Sequence, residues 1–281
     1  MFSEFAPAKI NLTLRVHGQR GDGFHELTSL VAFADIGDRL NFTPQAQSKE
    51  GLMLSYEGAY GQKLNETVQG NDIVLAAARS ANAGNGQLVL EKNLPLMAGM
   101  GGGSADAAAV LRLFSRLQDK QLTHNGLELG SDVPVCLLSK AAWMRGRGEN
   151  VQALTSFPKC PAVLVNIGID MPTSTVFERF SHIGVVAAKQ DQLREGFDDL
   201  NALFAYVQEQ GNDLLEPALS LSSEIGRLVE AIHATNAKVA GMSGSGSTCY
   251  GLYDSSGAAN EAAARLGHLY PEAFVHSTVL Q

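Results

Sequence analysis

PLMAGMGGGSADAAA (residues 95–109) sets four glycines in five positions, Gly99, Gly101, Gly102 and Gly103, against the start of an alanine-rich run. Without side chains these positions admit positive φ and let backbone N–H groups converge on one point. Beyond them Ala107, Val110, Leu111, Phe114 and Leu117 recur at helical spacing. A glycine loop feeding a helix N-terminus is a phosphate-binding arrangement, because free N–H groups and the positive end of the helix dipole face the same anion. Ser104 is expected to cap that helix, with Asp106 in its first turn, and its hydroxyl is of a kind to reach a phosphate or a magnesium ion. GxxxxGK[ST] is absent and the spacing is not a strict GxGxxG, so the loop is not that of a P-loop ATPase.

The 281 residues around this loop suffice for one large domain or two modest ones. Hydrophobic residues make up 45% and charged residues 18%, the composition of a globular chain. Twenty-one basic residues stand against 29 acidic ones, a net charge of -8 with no basic run, which argues against a nucleic-acid partner. A few local donors still hold a phosphate in an acidic protein. No apolar window approaches a membrane span, and MFSEFAPAKINL lacks the pattern of a signal peptide. Cys136, Cys160 and Cys249 form no CxxC pair and lie in apolar stretches, as reduced buried thiols would. The expectation is a cytoplasmic protein, monomer or homodimer, that binds a small molecule and neither nucleic acid nor membrane.

Alternation predicts a strand over 8–16, turn chemistry marks 18–23, and further strands are predicted over 39–43 and 87–91, with a helix over 73–83 between the last two. SFPKCP (156–161) reads as a boundary. Beyond it come a strand over 162–167, helices over 175–180, 198–208 and 219–234, a glycine-rich GMSGSGS (241–247), a strand over 248–253, a helix over 258–269 and a strand over 273–279. Strands and helices mix without strict βαβ alternation, so the fold class is α+β in two halves, 1–156 and 157–281.

Three other segments offer chemistry. In GSDVPV (130–135), Asp132 precedes an apolar run and reads equally as a helix cap or as the base that orients an attacking hydroxyl. Lys9 and Asn11 share one strand face; the plain reading is a solvated face, and the functional one gives Lys9 to phosphoryl charge and Asn11 to a substrate hydroxyl. GDGFHEL places Phe24 and His25 after a flexible turn, either as a core ring beside a surface histidine or as a stacking and edge-reading pair for a nucleobase. No HExxH, GxSxG or EF-hand loop supports a metal hydrolase or serine esterase.

In order and content, PAKINL, PLMAGMGGGSADAAA and GMSGSGST resemble the GHMP kinase superfamily, and the motifs span nearly the whole chain. GQRGDGFHEL, GSDVPV, GRGE (146–149) and MPTSTVF (171–177) are similar to the branch acting on 4-diphosphocytidyl-2-C-methyl-D-erythritol in the non-mevalonate isoprenoid pathway. The resemblance implies a two-domain α+β fold: an N-terminal domain of the ribosomal protein S5 domain 2 type and a ferredoxin-like C-terminal domain. It implies transfer of the γ-phosphoryl group of ATP, with Mg2+, to the 2-hydroxyl of the methylerythritol moiety. It implies Asp132 and Lys9 as the catalytic pair, and no side chain as a resident metal ligand. For ATP it implies Pro95, Leu96, Met97, Ala98, Gly99, Met100, Gly101, Gly102, Gly103, Ser104 and Ala105 around the phosphates and Asn71 at the adenine. For the acceptor it implies His25 on the cytosine edge, Phe24 and Phe177 on its faces, and Asn11 and Thr173 near the methylerythritol hydroxyls. Two rival classes are a homoserine or mevalonate kinase, whose acceptors carry no base to stack, and a non-catalytic ATP sensor, which has no need of Lys9 and Asp132.

Overall fold

The computed structural model describes residues 1–45, 51–67, 72–183 and 193–281. In chain order come β1 (Phe2–Asn11), β2 (Arg15–Gln19), β3 (His25–Pro44), β4 (Leu52–Glu57), α1 (Gly61–Thr67), α2 (Ile73–Ser80), β5 (Gly86–Glu91), α3 (Gly102–Gln118), α4 (Val133–Leu138), β6 (Ala142–Gly146) and β7 (Asn150–Ala153). There follow β8 (Cys160–Asn166), α5 (Thr173–Ile183), α6 (Leu200–Gln210), α7 (Leu215–Leu221), α8 (Ser223–His233), β9 (Val239–Met242), β10 (Cys249–Leu252), α9 (Ser256–Leu269) and β11 (Phe274–Leu280). They form two compact units. The first holds Met1–Lys9, Ile36–Leu96 and Gly101–Ser139; the second holds Ile10–Asp35, Met97–Met100 and Lys140–Gln281.

In the first unit β5 lies between β4, which it meets in parallel (Leu52 opposite Gly86), and β3, which it meets antiparallel (Arg39 opposite Glu91). Leu40, Leu88 and Leu90 alternate inward and are buried, as period-two patterning requires. Phe42 of β3 meets Phe114 of α3 edge to face, with ring centroids 4.9 Å apart, which locks α3 onto the strands. α2 and α4 pack against α3. Asp72 caps α2, its Oδ1 accepting from Val74 N at 2.6 Å. Gly37 lies inside β3 because a Cβ there would strike the Ala6 carbonyl of β1.

In the second unit β2 and the first half of β3 form a hairpin (Arg15 opposite Thr28) that continues antiparallel into β6 and β7. A second antiparallel run orders β11, β8, β10 and β9. α8 and α9 pack on it, and the core between them gathers Val163, Val165, Ile225, Leu228, Ile232, Met242, Ala259 and Leu266. Strands backed by helices in this way are the ferredoxin-like arrangement. Trp143 of β6 is buried against Tyr206, which in turn meets Phe197, and its Nε1 donates to Arg194 O at 2.7 Å.

The expected strand over 8–16 is two strands. β1 ends at Asn11, and β2 begins at Arg15 after Leu12 N has turned to Leu30 O at 2.8 Å. Alternation persists across that break, so the pattern alone hid it. The expected helix over 219–234 is also two, α7 and α8, divided at Ser222, whose backbone is extended (φ -149, ψ 113). β3 runs far beyond the expected 39–43, because polar Asp35 and Asp38 beside Gly37 disguise its continuity. Among the described residues, no helix is long and apolar enough to cross a membrane.

All three cysteines are free and buried. Burial pushes the Cys136 thiol up, and the Cys160 and Cys249 thiols to about 12. An aromatic disulfide reagent is therefore expected to titrate none of the three thiols in the native protein and all three after denaturation. Rapid labelling of the native chain would contradict this packing.

Candidate active site

β1 is buried on both faces from Ala6 to Asn11, so Lys9 and Asn11 do not lie on a solvated face. A buried ammonium requires a partner. Lys9 Nζ lies 2.9 Å from Asp132 Oδ2, with the lysine side chain 4% and the aspartate 28% exposed. Asp132 occupies the residue before α4, yet its side chain makes no capping hydrogen bond. The two readings of Asp132 thus separate: the position is that of a cap, but the carboxylate is turned to Lys9 and partly to solvent.

The glycine loop adjoins this pair. Gly101 has φ 61, in the left-handed region, and a Cβ there would stand 2.9 Å from Lys9 Cε and 3.6 Å from Asp132 Oδ2. Helix α3 begins at the next residue. The first turn of a helix has N–H groups that no earlier turn can accept, and those of α3 begin beside Lys9 and Asp132. Ser104 is not the cap. Gly101 holds that position, without a side-chain bond, and Ser104 lies within the first turn with its Oγ facing Gly130. The left-handed glycine reverses the chain early enough for Gly102, Gly103 and Ser104 to be helical, which moves the cap from the expected Ser104 to Gly101 and the helix start to Gly102.

Met97, Ala98, Gly99 and Met100 belong to the second unit, as does the GMSGSGS segment. Gly99 has φ 73, and a Cβ on it would come within 2.6 Å of the carbonyls of both Ser243 and Gly246. Ser243 Oγ donates to Gly99 O at 2.8 Å, and Thr248 N donates to Ala98 O at 3.1 Å. GMSGSGS is therefore both the β9–β10 connection and a backbone clamp on the first glycine segment. Met97 is exposed, with φ 52.

The same clamp gathers two expected acceptor residues. Asn11 N donates to Ser243 Oγ at 3.0 Å, and Asn11 Nδ2 to Ser29 Oγ at 2.7 Å. Thr173, exposed at the start of α5, has its hydroxyl 3.0 Å from that of Ser245. Around the β2–β3 turn, His25 stacks on Phe177 (centroids 4.5 Å apart, planes at 23°) and meets Phe180 edge-on. Burial lowers the His25 pKa, which favours a neutral ring that donates at one nitrogen and accepts at the other. Phe24 is 45% exposed, and the Arg147 guanidinium lies 4.8 Å from its centroid. Glu149 accepts from Arg147 N at 2.6 Å and from Arg20 Nη1 at 2.9 Å, so GRGE braces the turn that carries Phe24. The structure thus brings His25 and Phe177 together and sets Phe24 against Arg147. Asn71 lies outside the described residues.

Comparison with known proteins gives a consistent picture. Residues 68–140 match the GHMP kinases N terminal domain, and residues 190–272 match the GHMP kinases C terminal family. The 4-diphosphocytidyl-2-C-methyl-D-erythritol kinase of Dinoroseobacter shibae is 43% identical over 99% of this chain and 94% of its own length. That of Parvibaculum lavamentivorans is 42% identical over 96% of this chain and 94% of its own. A crystal structure of 4-(cytidine 5'-diphospho)-2C-methyl-D-erythritol kinase superposes with a TM-score of 0.75 at 29% identity, covering 99% of each chain. L. major mevalonate kinase shares the fold, with a TM-score of 0.68 at 16% identity over 100% of this chain and 96% of that one.

Asp106, in the second turn of α3 and not the expected first, belongs to a buried group beside the start of that helix that no motif announced. Lys92 Nζ donates to Asp38 Oδ2 at 2.5 Å and to Asp106 Oδ2 at 2.6 Å, and all three side chains are at most 3% exposed. A lysine at a strand exit and an aspartate in an alanine-rich helix were the available signals, but neither names its partner. One ammonium cannot balance two buried carboxylates. Burial, reinforced by the charge of Asp38 and opposed by Lys92, pushes the Asp106 carboxyl up to about 8, while the two aspartates hold Lys92 above its usual value despite burial. Asp106 Oδ1, buried without a hydrogen-bond partner among the described residues, fits a neutral carboxyl. With a folded pKa above the ordinary 3.8, the folded state binds the proton more tightly than the unfolded one. That stabilisation is complete below about pH 4 and is lost as pH rises through about 8. The melting temperature is expected to fall between pH 6 and pH 8, and Asp106→Asn to flatten that slope; equal slopes in the two proteins would contradict a shared proton.

Proposed function

This chain belongs to the 4-diphosphocytidyl-2-C-methyl-D-erythritol kinases of the GHMP superfamily, and from that premise we propose how its own residues divide the work. The enzyme transfers a phosphoryl group from ATP to the 2-hydroxyl of 4-diphosphocytidyl-2-C-methyl-D-erythritol, in the supply of isoprenoid precursors. Our division of the chain assigns ATP binding to 1–156 and the remaining GHMP kinase domain to 157–281.

The observation that carries the residue assignment is the 2.9 Å Lys9–Asp132 pair set against Gly101, one residue ahead of the α3 N-terminus. In our reading Asp132 accepts the proton of the attacking hydroxyl as its oxygen bonds to the γ-phosphorus. The bond from that phosphorus to the β-γ bridging oxygen breaks, and ADP leaves with its electron pair. Lys9 orients Asp132 and, with the N–H groups of Gly101, Gly102, Gly103 and Ser104, stabilises charge on the transferring group. Residues from Pro95 to Ala105 wrap the phosphates, and Asn71 serves the adenine. Magnesium bound with the nucleotide would neutralise phosphate charge, and the Ser104 hydroxyl, in the first turn of α3, is the side chain that would face it.

For the acceptor, a neutral His25 reads the cytosine edge, Phe24 and Phe177 supply ring faces, and Asn11 and Thr173, both anchored on the GMSGSGS segment, address the methylerythritol hydroxyls. The exposure of Phe24 and the His25–Phe177 stack support a ring-binding role over a core one. They also disfavour the homoserine and mevalonate kinase alternatives, whose acceptors offer no base.

Asp132→Asn keeps the shape of the side chain and removes the proton acceptor. Turnover is expected to fall by about 10³-fold, with the ATP dissociation constant within about twofold of wild type by calorimetry. Near wild-type turnover would overturn the role of Asp132. The acceptor KM is expected to stay level from pH 8 down to 6.5 and to rise below that as His25 gains a proton, since burial lowers its pKa. A KM that rises equally in His25→Gln would remove His25 from the acceptor site.

A further inference from the structure

We infer that Lys92, Asp38 and Asp106 form a positioning network that holds both ends of the glycine loop in register for ATP. This rests on the proposed reading of the loop as the phosphate site. Asp38 Oδ1 accepts from Asn93 N at 2.6 Å and Leu94 N at 2.8 Å, the two residues that lead into the loop. Its Oδ2 accepts from Lys92, and Lys92 donates onward to Asp106 in the second turn of α3, the helix that leaves the loop. Entry and exit are thereby fastened to one ammonium.

The network also reaches the loop backbone. A Cβ on Gly102, the first residue of α3, would lie 3.0 Å from Lys92 Nζ and 3.8 Å from Asp38 Oδ2. The helix start therefore rests on the network, and the direction of its first N–H groups follows from where Lys92 is held. None of the three side chains has more than 3% of its surface exposed, so they act on nucleotide through the loop. A generic core would be served by apolar residues at lower desolvation cost. Hydrogen bonds of fixed direction to Asn93, Leu94 and Asp106 instead specify a backbone path.

The test is steady-state kinetics, well below the melting temperature, on Asp38→Asn, Asp106→Leu, Asp106→Asn and Gly103→Asp. Asp38→Asn weakens the clasp on the loop entry, and Asp106→Leu cuts the link to α3. Each is expected to raise the KM for ATP at least about tenfold while the acceptor KM moves less than about twofold. Asp106→Asn retains a polar, neutral side chain of the same shape and is expected to stay within about threefold of wild type for both substrates. A purely structural role would lower the melting temperature and the active fraction but leave the KM for ATP unchanged in the folded enzyme, and that result would overturn the inference. Gly103→Asp separates this failure from failure of the loop assignment. Among the described residues a Cβ there meets only Ile73 Cγ2, at 3.7 Å, so a carboxylate fits at the helix start and repels phosphate. If Gly103→Asp raises the KM for ATP and the network variants do not, the network inference fails alone. If Gly103→Asp has no effect either, the loop assignment and the network inference fail together. Should Asp106→Leu not fold, Asp38→Asn decides.

Discussion

The missing side chain at Gly101 is the constraint from which the catalytic end of this protein follows. Its backbone is left-handed (φ 61), and the space a Cβ would need is filled by Lys9 Cε at 2.9 Å. Any other residue would meet both a conformational penalty and a clash. Because the position is glycine, α3 begins against the Lys9–Asp132 pair, and the charge on Lys9 adds to the positive end of the helix. The pair is asymmetric in a useful way: the lysine is enclosed, and the aspartate keeps 28% of its surface open. An enclosed lysine fixes direction, while a partly open carboxylate remains reachable by a hydroxyl.

Much of this was legible in the sequence. The glycine run names the loop through backbone freedom, and the apolar spacing after it names the helix; both are local properties and both hold in the fold. The α+β class follows from the mixed periods. What periodicity could not supply was burial. Lys9 and Asn11 look like the polar face of an alternating strand, but both faces of β1 are covered, so alternation did not distinguish inside from outside. The cap assigned to Ser104 failed for a related reason. Helix starts are read from side-chain caps, and a glycine in the left-handed region begins a helix without one.

Lys92, Asp38 and Asp106 illustrate the deeper limit. Each is an ordinary polar residue in its own segment, and only tertiary pairing turns them into a buried cluster. Buried ion clusters are poor sources of net stability and good sources of specificity in some systems. Here two carboxylates share one ammonium, and burial pushes the Asp106 carboxyl up to about 8, which favours its neutral form. The arrangement is tolerable because Asp38 is also satisfied by two backbone N–H groups, so the desolvation of one carboxylate is offset by directed bonds.

The second glycine segment shows the same economy of means with a different outcome. Gly99 comes as close to the Ser243 and Gly246 carbonyls as a backbone lacking a side chain allows, and Ser243 is fully buried at the contact. Its hydroxyl has one proton. That proton goes to Gly99 O, so the oxygen is left to accept from Asn11 N, and the polarity of the chain of bonds is fixed. Turning the Gly99 carbonyl away would strand a buried donor, at a cost of about 1–3 kcal/mol. The path of the loop at Gly99 and the position of Asn11 on its strand are therefore held by one hydroxyl, and neither can change without disturbing the other.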